Sequence, residues 1–178
     1  MNDVHASLQT RLIHADAGID DGTAVGPPIC QTSTWRLPTP EQGAELAAAI
    51  APTRYYTRYG SPNTRQVEVL LAETEGAEAA LAVGSGMAAV STALLSNLRA
   101  GDHVVAQRQL YGGTIAFLNG PCARFGIEVT FVDGSKPGAF AEAVIPGRTM
   151  LIIAESPSNP QMGLVDFDEL ARIKGPYT

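Results

Sequence analysis

Residues 103–132 read HVVAQRQLYGGTIAFLNGPCARFGIEVTFV, and this stretch decides the fold. It opens on a run of strand character, 103–107, turns at Gly112-Gly113, and passes through a segment of helical length before a second such run at 127–132. Two strands joined by a crossover of this length lie parallel, because only a helix-sized return brings the chain back to the same end of a sheet. Two further runs of the same kind flank the pair, at 79–83 and 149–154, each separated from its neighbour by a helix-length segment. Strand, helix, strand alternation of this kind is the pattern of an α/β layer with a mainly parallel sheet. Within the first crossover, Asn119-Gly120-Pro121 must kink or break the helix, so its first half is the better helix.

Toward the N-terminus, Pro62 opens a helix after Ser61, Val67, Leu70 and Leu71 share the face expected to pack on a core, and Gly76 closes it. Residues 1–52 read as an arm, and 53–178 as the first part of the main domain. In the arm, 7–14 suits a short helix and 26–35 is extended by Pro27 and Pro28. Thr39, Pro40 and Gln42 give a cap, a first-turn proline and a capping-box partner for a helix running to about Ile50. At the other end Asp166 and Glu169 make a capping box for a last helix that Gly175-Pro176 should end.

The 178 residues carry a net charge of -6, with 45 % hydrophobic and 17 % charged residues. That is a globular composition with a real core, and it lacks the clustered Lys and Arg that a nucleic-acid groove needs. Cys30 and Cys122 are far apart and have no metal-ligand spacing, so they read as free thiols, and no metal site is expected. The N-terminus has acidic residues and no continuous apolar core, unlike a secretory signal, which points to the cytoplasm. Residues 79–98 are uncharged and long enough to cross a bilayer, but their Gly, Ser, Thr and Asn content suits a buried strand and helix better.

Chemistry concentrates in four motifs. Gly84-Ser85-Gly86-Met87-Ala88-Ala89 stands between a strand and a helix, where free N–H groups and the helix dipole favour an anion. It also fits a dinucleotide-binding pattern, although the acid expected at the end of the second strand is replaced by Gln107-Arg108. A tight turn needing small residues reads equally well. Arg54 to Asn63 packs two arginines and three tyrosines into a polar loop, suited to clamping a phosphate or to anchoring an interface. Tyr111 follows the second strand at the edge where α/β folds place ligands, and could stack on a planar group or be an ordinary buried aromatic. Glu155-Ser156-Pro157-Ser158-Asn159-Pro160 follows the fourth strand at the same edge and carries an amide toward it.

Taken in order and spacing, YYTRYGSPN, VGSGMAA, LYGGT and ESPSNP resemble the Cys/Met-metabolism family of pyridoxal-phosphate enzymes, which includes cystathionine γ-synthase, cystathionine lyases, methionine γ-lyase and O-acylhomoserine sulfhydrylases. The likeness runs from about Leu12 to Ile173. It implies the three-layer, mainly parallel sheet of the aspartate-aminotransferase (fold type I) large domain, here truncated, and a homotetramer built from two tight dimers. It further implies pyridoxal 5'-phosphate as cofactor and replacement or elimination at Cβ or Cγ of an amino-acid substrate. By the resemblance, Tyr56 and Arg58 reach the cofactor phosphate of a neighbouring subunit, and Gly86 and Met87 N–H groups cradle it at home with Ser85 beside them. Tyr111 stacks on the pyridine ring and serves proton transfer at the leaving group, while Asn159 stands near the phenolic oxygen and the substrate carboxylate.

The sequence departs from the family in three places. Ser61-Pro62-Asn63 stands where Asn-Pro-Thr is usual, a swap that keeps a helix cap. Gly113 occupies the position where methionine γ-lyases carry a cysteine, which leans toward a synthase or sulfhydrylase. Beyond Ile173 the family's pyridine-facing Asp, the Ser-x-Thr-Lys that attaches the cofactor, and the domain with the carboxylate-binding Arg do not follow, and 174–178 do not resemble it. The expectation is a fragment that is not itself catalytic, associating with partner chains or folding poorly alone. Without its usual partner, the 79–83 strand is expected to re-pair or to leave the chain loosely packed.

Overall fold

The computed structural model describes residues 6–19 and 24–173. The chain divides into two compact units, Met1–Ala82 and Val83–Thr178, so the expected junction at residue 52 falls inside the first.

The first unit holds three helices: α1 (Leu8–His14), α2 (Pro40–Ala48) and α3 (Pro62–Glu75). Each starts where a hydroxyl can take up an orphan N–H: Ser7 caps Thr10, Thr39 caps Gln42 and Ser61 caps Thr64. Gly76 ends α3 in the left-handed region (φ 62°), which a side chain would resist. The extended segment after Pro27-Pro28 is fastened to the start of α3 by one side chain. Asn63 Oδ1 accepts the Cys30 N–H at 2.8 Å and its Nδ2 donates to the Pro28 carbonyl at 2.8 Å. Thr34 and Tyr56 form an antiparallel bridge that holds the same segment further on.

Two expectations fail in this part of the chain. Of the α3 face expected to enter a core, Leu70 is half-buried but Val67 and Leu71 are 48 % and 47 % exposed, while Pro62, Gln66 and Glu68 are buried. Polar partners explain the rotation: Gln66 accepts from Asn63, and Glu68 accepts from the Ala82 N–H and pairs with Arg65. Residues 79–83 form no strand. A strand requires a ladder partner for its backbone groups, and 79–83 have none among the described residues; Leu81 is 68 % exposed.

The second unit is the α/β layer. Strands β1 (His103–Gln107), β2 (Glu128–Val132) and β3 (Thr149–Ile153) form a parallel sheet in the order β2-β1-β3. The central strand is buried along its whole length, as a strand covered on both faces must be. Its alternation assigns the two faces: Val104 and Ala106 pack with Leu94, Leu118, Cys122 and Ile127, whereas Val105 packs with Val132, Ala139, Phe140 and Val165. Helix α4 (Gly86–Asn97) and α5 (Gly112–Phe117) supply the first face, and α6 (Ala139–Ala143) supplies the second. α6 lies in the helix-length segment expected between β2 and β3. The layering, helices on both faces of a parallel sheet, is that of the expected α/β fold.

Asn119-Gly120-Pro121 does not break the crossover. Leu118–Cys122 widens into a π turn that accommodates Pro121, so the missing N–H is absorbed while Leu118 and Cys122 still reach the core. The last helix, α7 (Phe167–Arg172), is capped by Asp166, which accepts from Asp168 and Glu169. The Gly175-Pro176 stop lies outside the described residues.

Candidate functional site

All three strands run in one direction, so Gln107, Val132 and Ile153 stand at one edge of the sheet. The segments that leave this edge carry most of the residues singled out in the sequence. After β1 comes Tyr111, the N-cap residue of α5, whose ring is well exposed. After β3 comes the 155–160 loop with Asn159. These two segments are joined through a single carboxylate: Glu155 Oε2 accepts the Tyr111 N–H at 2.8 Å, and Oε1 accepts the Asn159 N–H at 3.3 Å.

Met87 reaches the same place from the start of α4. A Cβ on Gly113 would lie 2.5 Å from Tyr111 Cε1 and 3.0 Å from Met87 Sδ, so ring and thioether crowd one glycine. The N-terminus of α4 is built for an anion. Ser85 Oγ accepts the Ala88 N–H at 3.1 Å and the Ser85 carbonyl takes the Ala89 N–H, leaving Gly86 and Met87 as the first helical N–H groups, without an intrahelical acceptor. Ser85 keeps its own O–H to donate. No atom would meet a Cβ at Gly84 or Gly86 within 4 Å, so there is open space beside these two glycines.

The loop after β3 is stapled from below. Ser156 Oγ accepts the Val165 N–H, and buried Ser158 exchanges bonds with Gly163 through both its backbone and its hydroxyl. Just after β2, Asp133 accepts from the Ser135 hydroxyl and N–H and from Gln109, bonds that hold its carboxyl below the usual range.

Tyr56 and Arg58 belong to the first unit and form a cluster there. The Arg58 guanidinium lies 4.8 Å from the centre of the Tyr56 ring and 5.4 Å from that of Tyr59. Of the residues singled out in the sequence, Ser85, Gly86, Met87, Tyr111 and Asn159 lie in the second unit, with Met87 beside Tyr111 and Asn159 tied to Tyr111 through Glu155. Sequence reasoning placed Glu155 and Gln107 at this edge without giving either a role. For Gln107 the signal was a polar residue ending a fully buried strand. Among the described residues, no group of three or more His, Cys, Asp or Glu is arranged to hold a metal ion, and no helix is long and apolar enough to cross a membrane.

The sequence model of the Cys/Met metabolism PLP-dependent enzymes matches residues 9–175. An L-methionine gamma-lyase of Porphyromonas gingivalis is 42 % identical over 170 residues, 96 % of this chain and 42 % of its own length. An O-succinylhomoserine sulfhydrylase of Pseudomonas aeruginosa is 38 % identical, over 83 % of this chain and 36 % of its own. Among solved structures, an O-acetylhomoserine (thiol)-lyase of Campylobacter jejuni that holds N'-pyridoxyl-lysine-5'-monophosphate superposes with a TM-score of 0.84 at 28 % identity, over 94 % of this chain and 41 % of that one. The chain therefore spans about two fifths of the length of the relatives it matches.

Proposed function

The chain belongs to the Cys/Met-metabolism family of pyridoxal-phosphate-dependent enzymes, and from that premise we propose that its carboxyl strand edge is one half of the cofactor site of a sulfur amino-acid enzyme. The reaction class is γ-replacement or elimination on O-acylhomoserine, cystathionine or methionine-like substrates. The observation that carries this reading is the meeting of Tyr111, Met87 and Asn159 at one edge, beside the open N-terminus of α4.

These residues fit the cofactor chemically. A phosphate suits the Gly86 and Met87 N–H groups and the helix dipole behind them, with the Ser85 hydroxyl as a further donor. A planar ring suits the exposed face of Tyr111, and an amide such as Asn159 can donate to a phenolic oxygen or to a substrate carboxylate. Bound there, pyridoxal phosphate supplies an electron sink for charge developing at the substrate Cα. To Tyr111 we assign the orienting of that ring and, through its hydroxyl, proton transfer at the leaving group.

In the assembled enzyme we assign Tyr56 and Arg58 to the phosphate of a neighbouring subunit, within a homotetramer of two dimers. The Arg58 guanidinium, stacked on Tyr56 and Tyr59, is a preformed cation for that task. The compartment we assign is the cytoplasm, which suits the two free thiols.

The 178-residue chain itself we read as not catalytic. Its lysines are Lys136 and Lys174; Lys136 is 67 % exposed at its side chain and faces Glu142 at 4.0 Å, a solvated ion pair rather than a buried attachment point. A second reading, a fragment that acts only by associating with other chains, is favoured by the uncovered Leu81 and Val83 of the segment 79–83. The test is to add pyridoxal phosphate to the chain, reduce with borohydride, map labelled lysines, and assay O-acylhomoserine and cystathionine. Scattered substoichiometric labelling without turnover is expected. Stoichiometric labelling at one lysine, or turnover above that of free cofactor, would show a competent enzyme.

A further inference from the structure

We propose that Glu155 is the positioning residue of this edge, holding Tyr111 and Asn159 at one fixed spacing so that both meet the same ligand; this rests on the cofactor reading above. Neither side chain is fixed by packing, since Tyr111 is 56 % exposed and Asn159 lies in an exposed turn. Their backbones are what hold them, and both backbones end on Glu155, one at each carboxylate oxygen.

Glu155 is in turn anchored from the middle of the sheet. Its own N–H donates at 2.9 Å to Oε1 of Gln107, the buried last residue of β1. The Gln107 side chain lies against Gly134, after β2, so closely that a Cβ there would come within 2.8 Å of Gln107 Cγ. The ends of all three strands are thereby connected: Gly134 sets Gln107, Gln107 sets Glu155, and Glu155 sets the two ligand-facing segments. A carboxylate whose only role was to favour the start of α5 would have no need of its second oxygen on Asn159.

The variants Glu155→Ala and Glu155→Gln separate these roles, because an amide keeps the side-chain length but retains only one acceptor oxygen. Hydrogen exchange at the Tyr111 and Asn159 amides of the 178-residue chain reads the clamp without any cofactor. Binding of pyridoxamine 5'-phosphate, which needs no lysine, reads its consequence. Glu155→Ala is expected to lose protection at both amides and to bind pyridoxamine 5'-phosphate about tenfold or more weakly. Glu155→Gln is expected to keep protection at one amide and recover part of the affinity. If the unfolding midpoint falls while exchange at the two amides or the affinity of the folded protein is unchanged, Glu155 is merely structural and the proposal is overturned. Should the unaltered chain take up no pyridoxamine 5'-phosphate, the cofactor reading fails. The clamp is then judged by exchange alone, and retained protection in Glu155→Ala overturns it as well.

Discussion

His103 Nδ1 lies 2.8 Å from Thr149 Oγ1 and its Nε2 lies 2.9 Å from Thr130 Oγ1, so one buried ring joins the central strand to both neighbours. Thr149 Oγ1 also accepts the Ile145 N–H at 2.7 Å. Its own proton is therefore best directed at Nδ1, and the network assigns the neutral tautomer with the proton on Nε2, donating to Thr130.

Burial holds the His103 pKa below its ordinary value, Arg148 acts in the same direction, and Glu128 opposes them. Between the lowered folded value and the unfolded value of about 6.5, the unfolded chain binds the extra proton. Stability is accordingly full above the unfolded pKa and declines as pH falls through the folded one. Urea midpoints measured from pH 8 to pH 5 should drop on the acid side, and His103→Asn should flatten that part of the profile. The same drop in the variant would assign it to other groups.

Asn63 fastens the arm to α3 with two bonds across more than thirty residues of sequence. Asn63→Ala should cost about 1 to 2 kcal/mol and should release the Cys30 amide to rapid exchange. A Cys30 amide as protected as before would mean that the Thr34–Tyr56 bridge holds the segment unaided.

The two thiols differ in kind. Cys30 is half-buried, whereas Cys122 is fully buried inside the π turn, and burial pushes its thiol pKa up. Ellman's reagent should titrate one thiol in the native chain, and the second only as the chain unfolds. Replacing the neighbouring Leu118 by Ala, which opens a cavity costing about 2 to 5 kcal/mol, should expose the second thiol at lower urea. Two thiols reacting at one rate in the native chain would contradict this packing.

Gly113 is the position where a substitution acts on Tyr111 directly. Gly113→Ala adds a Cβ against the Tyr111 ring edge and Met87 Sδ, both far ends of side chains that can swing away. The helix loses nothing, since Ala is favoured over Gly by about 1 kcal/mol, but the ring must move. Changed Tyr111 ring resonances at unchanged or raised stability are expected. Unchanged ring resonances would show that the glycine is not needed for its placement.

The parts of the fold read most directly from sequence are those governed by local chemistry. His103 to Gln107 has the same bounds in both readings, and Ser61, Thr39, Ser7 and Asp166 all cap as their residue types suggest. What was not legible depends on distant partners. Residues 79–83 have strand composition, but a strand is a property of a pair, and no partner stands beside them among the described residues. Val67 and Leu71 have helical spacing, yet the polar anchors Asn63, Gln66 and Glu68 decide which side of α3 faces inward. Tyr111 and Asn159 were visible in motifs that each follow a strand, β1 and β3. The bond from the Tyr111 N–H to Glu155 was not legible, because 44 residues of sequence separate the two.

The central claim, that Gly86, Met87, Tyr111 and Asn159 form one cofactor edge, is tested most directly by amide NMR of the 178-residue chain titrated with pyridoxamine 5'-phosphate. The account predicts saturable shifts at these four residues and at Glu155, with pyridoxamine lacking the phosphate failing to move Gly86 and Met87. Shifts absent from this edge, or of equal size with and without the phosphate, would contradict it.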